Sequence, residues 1–170
     1  MSNKYDFFNF SQTKTSWLWQ EILYGMENKI LTRSDVINYA TRILDEDILG
    51  FDWVLKIVIA KDYEDILPYI HELIDLEDDE DTSIILDRWR YAILKELYSK
   101  KSNYEDFNGK VEEIYADFDY PEDMSGLIGY MPLVGGKTME ESWQGYLTSS
   151  EKKLKINRKR HVTIRQESKK

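Results

Sequence analysis

Four carboxylates crowd into residues 117–123: Asp117, Asp119, Glu122 and Asp123. Oxygen ligands at that density are what Mg²⁺ or Ca²⁺ takes, and Glu112 with Glu113, one turn earlier, could supply a general acid and base. A metal-dependent hydrolase is therefore one reading of the stretch. The spacing argues against it. No calcium-loop pattern fits, and the glycine that such loops need at their sharp turn is missing. With 32 Asp and Glu in the chain, neighbouring carboxylates arise without any chemistry being asked of them. The simpler account is that Asp119 or Asp123 serves the start of the next helix while the others are solvated. No catalytic residue, metal ligand or cofactor is assigned.

Other reactive groups offer less. His71 lies beside Ile70 on a predicted helix, at a boundary between core and solvent, where a hydrogen-bonded structural histidine is favoured over a base or ligand. His161 has no recognisable partners. Without cysteine, disulfides, thiolate catalysis and thiolate-bound zinc are excluded. Gly126-x-x-Gly129 and Gly135-Gly136-Lys137 lack the full P-loop arrangement and read as turns.

The elements that must position the carboxylates follow from the bend itself, VEEIYADFDYPEDMSGLIGYMPLVGG, residues 111–136. Pro121 pushes Tyr120 out of helical geometry, and Pro132 does the same to Met131. The backbone must turn twice while Phe118, Tyr120, Met124, Leu127, Ile128, Tyr130 and Met131 still call for burial. Upstream, the chain reads as a series of amphipathic helices. Residues 1–12 alternate weakly, enough for a short strand or an extended aromatic arm. A helix follows at about Ser16 to Asn28, with stripes Leu18, Ile22, Met26 and Trp19, Leu23. Gly25 within it suggests a close crossing by another helix.

Thr32 to Asp35 forms a capping box for a second helix ending near Asp45. Phe51 to Ala60 is apolar on nearly every side and reads as a buried third helix. A fourth runs at about Tyr63 to Leu76, with Pro68 within or near its first turn. A fifth spans Thr82 to about Lys100, capped by Thr82 or Ser83, with Leu86, Trp89, Ile93 and Leu97 inward. Ser102-x-x-Glu105 caps a sixth, with Phe107, Val111, Ile114, Tyr115 and Phe118 inward. Pro121 opens a short seventh, and Thr138-x-x-Glu141 caps an eighth. Short connections predict that sequential helices pair antiparallel, first with second, third with fourth, fifth with sixth. The expected fold is all-α: antiparallel hairpins stacked into a single compact, helical-repeat-like domain of about seven or eight helices. That domain occupies residues 1–150, followed by a basic tail at 151–170. Residues 157–170 hold few apolar anchors, which predicts fraying or disorder, although His161 to Ile164 could form a short edge strand.

Charge is the most informative quantity. The chain carries -9, but residues 151–170 hold nine Lys and Arg against two acids, leaving residues 1–150 at -16. Such a body repels nucleic acid and membranes and attracts basic proteins. The tail Lys152 to Arg160 could touch phosphates weakly, or fold back on the acidic body. The surfaces expected to meet a basic partner are Asp45, Glu46 and Asp47; Glu77, Asp78, Asp79 and Glu80; and Asp117, Asp119, Glu122 and Asp123. No signal-peptide pattern opens the chain, and no apolar run approaches the roughly 18 residues a membrane span needs. A cytoplasmic location is expected.

The order Trp17/Trp19, Gly25, Ser34-Asp35-Val36, Trp89, IYADFDYPEDM and Gly129-Tyr130-Met131-Pro132 resembles the bacterial domain-of-unknown-function family 2247, over roughly residues 15–135. The resemblance brings no settled catalytic residues. It implies a small bacterial cytoplasmic protein similar to the immunity proteins of toxin systems. The expected function is non-enzymatic: an immunity, antitoxin-like protein that neutralises a basic toxin domain through its acidic surface. The metal-dependent hydrolase on the 117–123 carboxylates and a helical adaptor without a toxin are the alternatives.

Overall fold

The computed structural model describes residues 3–13, 16–129 and 134–156. The expected turn at Tyr130 to Pro132, the edge strand at His161 to Ile164 and the character of the tail beyond Ile156 lie outside these residues. The fold is all-α, and no strand occurs among the described residues. Among the described residues there are seven α-helices and four short 3-10 segments, and the chain divides into two compact units, Met1–Ile85 and Leu86–Arg158.

The first unit holds α1 (Trp19–Glu27), α2 (Arg33–Ile43), α3 (Phe51–Val58) and α4 (Leu67–Ile74). Its N-terminal segment is an arm, with Tyr5, Phe7, Phe8 and Phe10 all buried. Phe10 meets the rings of Trp17 and Tyr39 at 5.4 and 5.5 Å, and Trp19 meets Tyr39 at 5.9 Å. The Tyr39 hydroxyl accepts the Trp17 N–H at 2.9 Å and donates to the Trp17 carbonyl at 3.2 Å. That grip keeps Leu18 extended, so α1 begins at Trp19 and not at Ser16. At its other end Lys29 takes a left-handed φ of 59°, and the Gly25 carbonyl accepts from Ile30 and Leu31, a Schellman-type closure without glycine at the left-handed position.

Thr32 and Asp35 form the expected box at the start of α2, at 3.1 and 2.8 Å. α2 packs on α3, and α3 on α4. The main helical partner of α1 is α4 and not the adjacent α2. α3 buries only one face, through Val54 and Ile57, while Asp52, Lys56 and Ile59 are exposed. It is a helix as expected, but not buried all round. α4 starts at Leu67, later than Tyr63, with Pro68 in its first turn. Ile66, Ile70 and Leu73 are buried, and His71 is exposed.

α5 (Thr82–Ser99) crosses the boundary between the units. Asp81 closes its start by accepting the Ser83 N–H at 3.0 Å, a role expected of Thr82 or Ser83. In the second unit Trp89, Ile93, Leu94 and Leu97 are buried with Phe107, Val111 and Ile114 of α6 (Phe107–Asp117). The cap of α6 is Asp106, whose carboxylate accepts the Gly109 N–H at 3.0 Å. Ser102 falls in a 3-10 turn instead. Beyond Pro121 the short helix is a 3-10 segment, Glu122–Leu127, and it packs on α7 (Met139–Lys153). Thr138 and Glu141 form the expected box for α7. The Trp143 ring stacks on Tyr98 at 4.8 Å and meets Phe107 at 5.6 Å, tying α5, α6 and α7 together. Past Lys153, Leu154 and Ile156 are still buried.

Candidate interaction surface

In the first unit, Gly50 places two acidic runs at one end of a hairpin. It adopts φ +76° at the start of α3, and a Cβ there would lie 2.5 Å from Leu73 Cδ2 and 3.0 Å from Leu76 Cδ1. The start of α3 therefore lies beside the end of α4, so the two helices run antiparallel. The connection carrying Asp45, Glu46 and Asp47 thus shares an end with the run that follows α4. Asp45 turns that connection by accepting the Asp47 N–H at 2.9 Å, and all three side chains are exposed.

The second run is only partly surface. The Glu77 carboxylate accepts N–H groups of Trp19 and Gln20 at 2.7 and 3.1 Å. It stands where α1 has orphan donors and a positive dipole end. Gln20 then clamps the run from both sides, donating to the Asp78 carbonyl at 2.8 Å and accepting the Glu80 N–H at 2.9 Å. Asp78 and Asp79 are left exposed beyond the clamp. Within one acidic run, then, Glu77 holds the fold while Asp78 and Asp79 present charge.

The bend in the second unit divides in the same way. Arg90 is buried, and its Nη2 meets Asp123 Oδ2 at 2.8 Å and Asp87 Oδ1 at 3.2 Å. Asp123 is a strut between the 3-10 segment and α5. Burial raises the pKa of nearby Tyr146, against the opposing pull of the Arg90 charge. Among the described residues, Arg90 Nε and Trp143 Nε1 are buried without a hydrogen-bond partner.

Asp117, Asp119 and Glu122 are exposed, and so is Tyr120, at 60 %. Tyr120 was expected inside. The backbone explains the difference. Asp119 and Tyr120 adopt φ 61° and 54°, and their N–H groups return to the carbonyls of Ala116 and Tyr115 at 3.0 and 2.8 Å. That left-handed pair swings the Tyr120 ring outward, edge-on to Tyr115 at 5.2 Å. Among the described residues no three His, Asp or Glu side chains gather to hold a metal ion. Glu112 is half-buried and Glu113 exposed, and Gly135 and Gly136 form a left-handed turn.

Sequence reasoning missed the connection between α3 and α4. Tyr63 is 88 % exposed, with Ile59 and Leu67 exposed on either side. The available signal was a tyrosine among Asp62, Glu64 and Asp65 just before Pro68, a pattern that suits a turn as well as a helix start.

A sequence model for a family described as an uncharacterized protein conserved in bacteria matches residues 7–151. The match extends past both ends of the resemblance read from the residues, taking in the aromatic arm from Phe7 onward and most of α7. No curated protein and no solved structure matches the chain. No helix among the described residues is long and apolar enough to cross a membrane.

Proposed function

The chain belongs to domain-of-unknown-function family 2247, and from that premise we propose that it is a non-enzymatic interaction protein, an immunity protein that binds and neutralises a basic toxin domain. One observation carries the reading. Asp119 and Tyr120 hold left-handed conformations that L side chains adopt at a cost of roughly 1–2 kcal/mol per residue. The result is an exposed aromatic ring set among the exposed carboxylates of Asp117, Asp119 and Glu122. Beyond its edge contact with Tyr115 the ring buries little, whereas a partner would gain an aromatic anchor with an acidic rim.

The charge supports the same reading. Residues 1–150 carry -16, which steers a basic protein inward and raises its association rate. In the first unit Asp45, Glu46, Asp47, Asp78 and Asp79 present exposed carboxylates of their own. The toxin domain is held inactive by occupation of its basic surface, which needs no bond making or breaking by this chain. A cytoplasmic site of action goes with that role.

The test is a growth rescue. The C-terminal domain encoded just upstream is expressed in a sensitive bacterium with and without this protein. Relief of growth arrest, co-purification and affinity that falls with added salt are expected. Toxicity without rescue, or a complex insensitive to salt, would remove the proposal.

A further inference from the structure

We propose that the turn joining α3 to α4 carries a second apolar anchor for the partner, and that a cationic segment of the partner protein seats on it. The proposal rests on the interaction reading above and names a contact that reading does not include. Among the described residues the exposed large hydrophobic side chains are Ile59, Tyr63, Leu67 and Tyr120. Three of those four fall within residues 59–67. Tyr63 at 88 % exposure and Ile59 at 62 % contribute almost nothing to the core.

The turn that carries them is nevertheless held from several directions. Arg33 Nη2 donates to the carbonyls of Lys61 and Glu64 at 2.7 and 2.9 Å. The Glu64 N–H returns to the Lys61 carbonyl at 2.9 Å, and the Glu64 carboxylate accepts from the Tyr69 hydroxyl and the Lys61 N–H. Asp65 accepts the Leu67 N–H at 3.0 Å, fixing the entry to α4. Tyr69 in turn stacks on Trp53 at 6.2 Å. An aromatic residue presented on a turn already held in place binds without the ordering penalty of a mobile loop. Tyrosine is also among the residues that dominate binding energy at protein interfaces.

Charge selects the occupant. Asp62 and Asp65 are exposed beside Tyr63, and the turn carries two bases, Lys61 and the Arg33 guanidinium bound to its carbonyls, against the three acids Asp62, Glu64 and Asp65. A second copy of this chain docking symmetrically would set Asp62 and Asp65 against their own counterparts, in a chain already at -9. Like charges so placed destabilise the contact. An anionic lipid surface is repelled by the same carboxylates. A segment that carries Arg or Lys beside an apolar side chain satisfies both the rim and the knob.

The experiment uses the full chain and, as probe, the toxin domain of the rescue assay. Affinity is measured for Tyr63→Ala and Ile59→Ser, and a photo-crosslinking side chain is placed at position 63. Tyr63→Ala should weaken binding by roughly tenfold or more. Its melting temperature and its salt dependence of binding should stay those of the unaltered protein, and the crosslinker should join the toxin domain. Full affinity in both variants, with no adduct at 63 but intact rescue, would overturn the anchor and leave the interaction reading standing. An adduct between two copies of this chain would overturn it in favour of self-association. Failure of the unaltered protein to bind or rescue would overturn both.

Discussion

Glu77 closes the N-terminus of α1 from 58 residues away, its carboxylate accepting the Trp19 N–H at 2.7 Å and the Gln20 N–H at 3.1 Å. Leu18, which precedes the helix, offers no side-chain oxygen, so the first orphan donors of α1 depend on Glu77. This contact explains why α1 finds its main partner in α4: the acid that serves it follows that helix directly.

The contact separates two roles within one acidic run. Glu77→Ala should cost about 1–2 kcal/mol of unfolding free energy, as loss of a helix cap does. Asp79→Ala, at an exposed position, should stay within about 0.5 kcal/mol of the parent. Urea denaturation of the two variants measures the difference. Equal losses would show that the capping distances carry no energy.

What could be read from the sequence was local. The boxes at Thr32 and Thr138 form as expected because donor and acceptor sit three residues apart. The Ser102 box fails because Asp106 lies closer to the first free N–H groups of α6. α1 starts three residues later than its periodicity predicts because Tyr39, 22 positions on, holds Trp17 extended. Periodicity carries no trace of such a bond. The acidic runs were found as charge, but their division into structural and presented carboxylates depends on Gln20, Arg90 and other groups distant in sequence. Residue type predicts Tyr120 inside, because large aromatics usually are. Nothing in its residue type announces a left-handed φ.

Asp123 should behave as a structural acid. Among the described residues, Asp123→Ala leaves the buried Arg90 guanidinium paired with Asp87 alone. Loss of a fully buried partner costs about 3–5 kcal/mol. The Asp123 side chain is 47 % exposed, so water takes over part of its work and a loss of about 1–3 kcal/mol is expected. Thermal melting should show Asp123→Ala well below the parent, with Glu122→Ala beside it unchanged. If binding of the toxin domain is measured on the same samples at a temperature where both are folded, Glu122→Ala should be the weaker binder.

The left-handed pair predicts a trade between stability and binding. Glycine at position 119 accepts φ 61° without a side-chain penalty, while its extra freedom in the unfolded chain offsets part of the gain. Asp119→Gly should therefore stabilise by about 0.5 kcal/mol. It also removes a carboxylate from beside Tyr120 and should weaken partner binding. A melting temperature that falls would contradict the strain. Affinity that rises with it would contradict the role of the carboxylate.

The turn before α4 should show its own pH signature through Glu64 and Tyr69. The Tyr69 hydroxyl and then the Lys61 N–H hold the Glu64 carboxyl below its ordinary value of 4.5. The same bond raises Tyr69 above 10.0, with burial adding to it. For Glu64, a depressed folded value means a contribution present above 4.5 and lost as pH falls through the lowered value. For Tyr69, a raised folded value means a contribution present below 10.0 and lost as pH rises through the raised value. The bond is thus fully formed between those limits, and the turn should be most rigid there. Tyr69→Phe removes the donor and should move the Glu64 titration, followed by carboxyl-carbon NMR, back toward its ordinary value. It should also increase hydrogen exchange at Lys61 and Glu64 near neutral pH. An unmoved Glu64 titration in Tyr69→Phe would mean that the Lys61 N–H alone sets it and that Tyr69 does not hold the turn presenting Tyr63.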